Sequence, residues 1–212
     1  MAPNDECSFD SSEGEPFIGH GVINVFSTNP YLIFPQMKSR ITTTDNSQLE
    51  QRTIQIRGAR VTLDFKDSAV GSLVSAPNKK FSTLFSGPLA PNSGSATDGI
   101  FTLIPDEALA EIAAGKTTAD DFETEVVGKI VVYGDLAGDE VTSQEFQFPV
   151  TICTKCVFGN MTGGGVIPTC PLPAARAGNA CNPYQDGVVD CCLDATANNE
   201  LVCPGYVATP EN

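Results

Sequence analysis

The sequence predicts an all-β protein, an immunoglobulin-like antiparallel β-sandwich with one short helix and a disulfide-rich irregular C-terminal tail. Three observations carry this: polar and apolar residues alternate with period two in several segments before residue 152, turn-forming clusters separate those segments, and beyond 152 the chain turns abruptly to glycine, proline and cysteine. At 212 residues it is long enough for one substantial core with an appendage. The composition divides it into an extended N-terminal segment (1–16), a sandwich (17–152) and a cysteine-rich tail packed on the sandwich (153–212).

Taken in order, the first clear strand signal is Arg52-Thr-Ile-Gln-Ile-Arg-Gly-Ala-Arg-Val-Thr-Leu-Asp-Phe65. Its apolar positions are 54 and 56, then 59, 61, 63 and 65, so the phase slips by one at Gly58. A slip would turn the buried face outward, and a bulge at glycine is the economical way to absorb it. Pro105 to Lys116 reads as the helix, with proline and acids at its start, Leu109 and Ile112 at helical spacing, and Gly115 after the last turn. It is short, as suits a connection on the sandwich rim. Phe122, Val126, Ile130 and Val132 share one parity while Glu123, Glu125 and Lys129 share the other, as on a half-buried strand. Phe146, Phe148, Val150 and Ile152 repeat the pattern, and Pro149 on the opposite parity predicts an edge strand or a bulge. Thr44-Asp-Asn-Ser47 and the stretch from Ala90 to Gly99 read as turns.

A net charge of −14 repels phosphate backbones and anionic lipid surfaces, so nucleic acid is not an expected partner. No apolar run approaches the length of a transmembrane helix. The first fifteen residues lack the basic end and apolar stretch of an export signal, which leaves a cytoplasmic protein or a mature chain whose signal is gone. Cysteines decide between them. Cys153, Cys156, Cys170, Cys181, Cys191, Cys192 and Cys203 cluster in the tail and Cys7 makes the number even, which favours disulfides and an oxidising compartment: periplasm, outer membrane surface or extracellular space. Three bridges within the tail would leave one thiol for Cys7, stapling the N-terminal segment to the tail and closing a loop of most of the chain, worth about 4 to 5 kcal/mol.

The Cys153-Thr-Lys-Cys156 pair is the sharpest motif. If the strand ran on through it, the two side chains would point to opposite faces, so each thiol is expected to join a separate bridge. A zinc knuckle would need a sharp turn and a second cysteine hook, and a redox pair would open a helix, whereas a glycine-rich loop follows. Adjacent Cys191 and Cys192 are expected to join different partners. Asn182, Asp186 and Asp190 occupy the first, fifth and ninth places of a calcium loop with Gly187 sixth, but Tyr184 and Leu193 stand where strong ligands belong. No metal or cofactor is expected. Asn160-Met-Thr162 matches a glycosylation sequon, read here as a chance occurrence. His20 is the single histidine, unaccompanied by a nucleophile elbow, and reads as a turn residue. Asp120, Asp121, Glu123 and Glu125 line a solvated face rather than form an acid and base pair. No catalytic residue is assigned, and an enzyme is not expected.

The acidic N-terminal stretch with one cysteine, Ile56-Arg-Gly-Ala-Arg-Val-Thr-Leu-Asp-Phe65, Phe146-Gln-Phe-Pro-Val-Thr-Ile-Cys-Thr-Lys-Cys156 and Cys181-Asn-Pro-Tyr-Gln-Asp-Gly-Val-Val-Asp-Cys-Cys192 together resemble exported lipoproteins of myxobacteria and their relatives. The resemblance implies a removed signal and an outer-membrane or surface location, and no activity. Cys7 would be the lipid-carrying residue of such a protein, although polar Pro3-Asn-Asp-Glu6 precedes it. The expected function is a disulfide-stabilised, non-enzymatic surface protein, a binding or structural module that partners other cell-envelope proteins. The alternatives are a self-assembling subunit of a fibre or surface layer and, behind it, a metal-binding protein using the cysteine cluster.

Overall fold

The structure is a computed structural model, and it describes residues 18–41, 53–91, 97–117, 120–154, 156–157, 169–170, 184–187, 190–195 and 200–203. The N-terminal segment with Cys7, and also Cys181, the turn at 44–47 and the sequon at 160–162, lie outside them.

The chain is strand-rich. Along it run β1 (Gly21–Asn24), β2 (Tyr31–Ile33), β3 (Gln36–Met37), β4 (Ile54–Phe65), α1 (Ser68–Leu73), α2 (Ala76–Lys79), β5 (Lys80–Leu89), β6 (Thr97–Asp98), β7 (Phe101–Ile104), α3 (Asp106–Ala113), β8 (Glu123–Leu136), β9 (Asp139–Thr142), β10 (Phe146–Cys153), β11 (Cys192–Asp194) and β12 (Glu200–Val202). The main sheet has the order β1-β10-β8-β4-β5, with β9 also paired to β8 as its sixth strand. Two-stranded ribbons β2–β7, β3–β6 and β11–β12 complete the described strands. The expectation of a purely antiparallel arrangement is corrected here: β1 runs parallel to β10, Gly21 beside Val150 and Asn24 beside Cys153. The long chain between β1 and β10 supplies the crossover that a parallel pair requires.

The slip at Gly58 is a real irregularity. Between Ile56 and Gly58 the register of β4 shifts against both neighbours, and the buried positions change from Ile56 to Ala59, Val61 and Leu63. A Cβ on Gly58 would run into the carbonyl oxygen of Thr83. On β8, Thr124, Val126, Gly128 and Ile130 face inward, with Glu123, Glu125, Val127 and Lys129 on the other face. Pro149 sits where β10 is an edge: pairing to β1 begins one residue later, at Val150, so the missing N–H costs no ladder bond on that side. Phe148, Val150 and Ile152 are buried as their parity requires, but Phe146 is 52% exposed, in the part of β10 that β1 does not reach.

The outer face of the sheet is a ladder of opposite charges. Arg57 pairs with Asp135, Arg60 with Glu140 at 2.8 Å, Lys129 with Asp64 at 2.8 Å, and Arg60 lies over the Tyr133 ring. Exposed pairs of this kind add little stability but keep the face in water. The inner face carries the core. Ile23, Val61, Leu63, Val126, Ile130, Val150 and Ile152 of the sheet pack against a second layer that holds Tyr31 and Ile33 of β2, Phe101, Leu103 and Ile104 of β7, and Ala108, Leu109 and Ile112 of α3. Helix α3 therefore packs in the core with those three residues wholly buried, which corrects its expected place on a rim. Two further helices join it. Asp67 caps α1 by accepting the Ala69 N–H at 2.8 Å, and Glu111 of α3 accepts the N–H of Ser75 just before α2, an interaction that holds its carboxyl below the usual range. At six and four residues these helices are below the length at which periodicity gives a signal. The tail, expected to be irregular, includes the ribbon β11–β12.

The layers meet closely at Gly128, where a Cβ would overlap the side chain of fully buried Leu103. Gly128→Ala is expected to destabilise the fold by about 1 to 3 kcal/mol through overpacking. In a double-mutant cycle by urea unfolding, Leu103→Ala should absorb much of that loss, giving strong non-additivity; simple addition of the two effects would show that the layers do not meet there.

Candidate functional site

The chemistry-bearing residues of the tail gather at one end of the main sheet, where β1 and β10 end side by side. Three disulfides join the described cysteines: Cys153 to Cys156, Cys170 to Cys192 and Cys191 to Cys203. The adjacent pair Cys191-Cys192 thus reaches two different partners. The expectation of separate bridges for Cys153 and Cys156 is corrected, because the strand does not run through the motif. It ends at Cys153, and the turn that follows brings the Cα atoms to 5.8 Å.

That turn is held by the hydrogen bonds of one residue. Thr154, 1% exposed, donates its hydroxyl to the carbonyl of Asp120 at 2.5 Å, accepts the Phe122 N–H on the same oxygen at 3.2 Å, and donates its own N–H to the Phe122 carbonyl at 3.0 Å. Its carbonyl accepts the side-chain amide of buried Asn24 at 2.8 Å, and Asn24 Oδ1 in turn accepts the Phe26 N–H. The start of β8, the end of β1 and the cysteine turn are thereby tied to one residue. Cys153 is buried and Cys156 is exposed.

A second anchor is made by Gln185 and Asp186. The Asp186 carboxylate accepts the Tyr31 hydroxyl at 2.7 to 2.8 Å and the Val22 N–H at 2.7 Å, and the Asp186 N–H donates to the Val22 carbonyl at 2.9 Å. Asp186 therefore satisfies both backbone groups of Val22 as an added strand would. Gln185 does the same for Leu32, accepting its N–H at 2.8 Å and donating to its carbonyl at 2.6 Å. Positive φ at Tyr184 and Asp186 aims these consecutive side chains at two different strands. Gly21 is obligatory here, since a Cβ would overlap the Tyr31 hydroxyl. Burial, the Asp186 charge and the hydrogen bond to it push the Tyr31 phenol well above its ordinary range. Beside this anchor Val157, Cys191 and Cys203 form a small cluster against Val22 and Tyr184.

This geometry assigns Gln185 and Asp186 a docking role. The Asp186 oxygens turn inward to protein donors, and Leu193, at the twelfth place of the notional calcium loop, pairs with Leu201. Among the described residues no three of His, Cys, Asp and Glu gather as metal ligands would. His20 lies exposed with Nε2 2.7 Å from Thr151 Oγ1. Asp120, Asp121 and Glu123 are exposed, and Glu125 faces Lys66 at 3.8 Å. A cleft of about 290 Å³ is lined by residues that include Pro30, Pro77, Phe81, Thr83, Pro105 and Asp106. Tyr31, Asn24, Thr154 and Gln185 had no sequence signal of their own; only the Asp-Gly in a cysteine-framed loop marked the place.

Comparison with protein-family models, with curated proteins and with solved structures finds no match for this chain. The geometry is therefore the ground on which function is argued.

Tyr31→Phe should cost about 1 to 3 kcal/mol near neutral pH by leaving the Asp186 carboxylate without its hydroxyl donor. Because the folded state holds the phenol proton while the unfolded chain releases it near pH 10, the wild type should lose up to about 1.4 kcal/mol per pH unit above pH 10 that Tyr31→Phe does not. Urea titrations at pH 8 to 11 on both proteins test this, and parallel curves would sink it.

The six described cysteines pair among themselves, so the eight in the sequence leave Cys7 and Cys181, which lie outside the described residues. Non-reducing peptide mapping should find those two joined, and Cys7→Ser should free one reactive thiol at Cys181 and lower the melting temperature. A lipidated Cys7, or one bridged to a second chain, would refute the staple.

Proposed function

We propose that this is an exported, disulfide-stabilised surface protein that binds or builds rather than catalyses. The observation that carries the reading is that the six described cysteines of the tail are paired in bridges around a hydrogen-bonded dock, an arrangement that persists in oxidising compartments and is rare where thiols are kept reduced. No described helix is long and apolar enough to cross a membrane. On this reading the described part of the tail does structural work: it covers the edge of the sheet at β1 and is held there by bridges and hydrogen bonds.

The finer reading places the protein in the periplasm, on the outer membrane surface or outside the cell, with the two packed layers related to an immunoglobulin-like sandwich. Kinship with myxobacterial exported lipoproteins belongs to the same proposal, with Cys7 bridged to Cys181 rather than carrying a lipid. A net charge of −14 keeps such a protein off anionic phosphate surfaces and directs it to protein or glycan partners.

The deciding experiment traps thiols in intact cells of the natural source with a permeant alkylating agent before lysis, then counts modified cysteines by mass spectrometry. The expected result is no alkylated cysteine among Cys153, Cys156, Cys170, Cys191, Cys192 and Cys203, with the protein in an envelope or culture-fluid fraction. Alkylation of all six in a cytoplasmic fraction, or stoichiometric zinc on free thiols, would overturn the proposal.

A further inference from the structure

The two edges of the main sheet are treated differently. At β1 the backbone of Val22 is already occupied by Asp186. At the opposite end, β5 pairs with β4 on one side and, among the described residues, with no strand on the other. Natural edges of this length are blunted by charge, proline or a bulge. The other open stretches of this sheet follow that rule: β9 carries Asp139 and Glu140, and the part of β10 that β1 does not cover carries Pro149. Strand β5 does not. From Phe81 to Gly87 it reads Phe-Ser-Thr-Leu-Phe-Ser-Gly, seven residues without a charge or a proline, bounded by Lys80 and Pro88. Leu84, at its middle, is 82% exposed, the most exposed of the large apolar side chains among the described residues. The edge is also accessible in space. Three consecutive residues, Phe81, Ser82 and Thr83, line the cleft of about 290 Å³, and since successive strand residues face opposite ways, a concavity touching all three runs along the edge itself.

We propose that this edge is the docking surface for a second copy of the chain, β5 pairing antiparallel with β5 of the partner so that the two sheets become one. The charge distribution selects the occupant. In a chain of net charge −14, two copies repel wherever their carboxylates meet, and the segment Phe81 to Gly87 carries none itself, Asp106 and Glu107 lining the cleft beside its first three residues. The segment is also self-complementary. With the two-fold axis beside Leu84, each Leu84 covers the other, Ser82 faces Ser86, and Phe81 faces Gly87, so a large side chain meets a space. The pairing exchanges backbone hydrogen bonds with water for bonds between chains and removes the exposed leucine from solvent. This proposal deepens the surface-protein reading by naming a partner, but it does not rest on export, since the edge is the same in any compartment.

The test is sedimentation of the intact oxidised protein from about 10 µM to about 1 mM, the range in which a contact smaller than a standard interface associates. A concentration-dependent dimer is expected. Leu84→Lys and Leu84→Glu, each placing like charges across the axis, should weaken it at least about tenfold, while an equimolar mixture of the two should dimerise again as a heterodimer. Restoration in the mixture also proves that both variants are folded. Should neither variant fold, hydrogen exchange on the wild-type protein reads the same surface: amides of Phe81 to Gly87 should gain protection as concentration rises, and those of β9 should not. A monomer throughout the range, a dimer indifferent to both substitutions, or a dimer without added protection on β5 would each overturn the proposal. Thiol trapping in cells reads the export proposal independently, so failure of one leaves the other standing.

Discussion

Strand β8 is the element on which the rest depends, because it pairs with three others, β4 along one side and β10 and then β9 along the other. A strand enclosed in this way has no freedom to slip, since a shift of one residue would send Val126 and Ile130 to the charged outer face and bring Lys129 into the core. Its alternation therefore sets that of its neighbours, and the bulge in β4 exists to keep Ala59, Val61 and Leu63 in step with it. Gly128 at its centre then sets how closely the β7 and α3 layer can approach.

The second consequence concerns the tail. Disulfides shorten the list of unfolded conformations, but a bridge by itself does not say where a segment lies on the folded protein. Here position comes from hydrogen bonds. Thr154 ties the cysteine turn to the end of β1 and the start of β8, while Gln185 presents its side-chain amide to Leu32 and Asp186 its carboxylate and backbone N–H to Val22. Each such contact is local and directional, and together they orient segments too poor in apolar residues to orient themselves. The same contacts close the edge of the sheet at β1.

Much of this was legible in the sequence. Strand parity around Val126 and Ile130, the slip at Gly58, the helix bounded by Pro105 and Gly115, and the use of cysteines as bridges are all encoded by neighbours in the chain, where period and turn chemistry act over a few residues. The place of that helix was not legible, because whether Leu109 and Ile112 face a rim or a core depends on the β2–β7 ribbon arriving from elsewhere. Nor was the Cys153–Cys156 bond, since continuing the strand through Cys156 was the natural reading until Asp120 and Phe122 were found turning it at Thr154.

By itself, then, the amino-acid order determined which residues would be strand, which faces would be apolar and that the tail would need covalent support, because these follow from backbone sterics, side-chain alternation and composition. Tertiary structure alone decided the parallel seating of β1 beside β10, the burial of α3, and the conversion of an incomplete calcium-like loop into a clamp on Tyr31 and Val22. The first and the last of these join residues more than a hundred positions apart, and a hydrogen bond between such residues exists only once the sheet has brought donor and acceptor within 3 Å of each other.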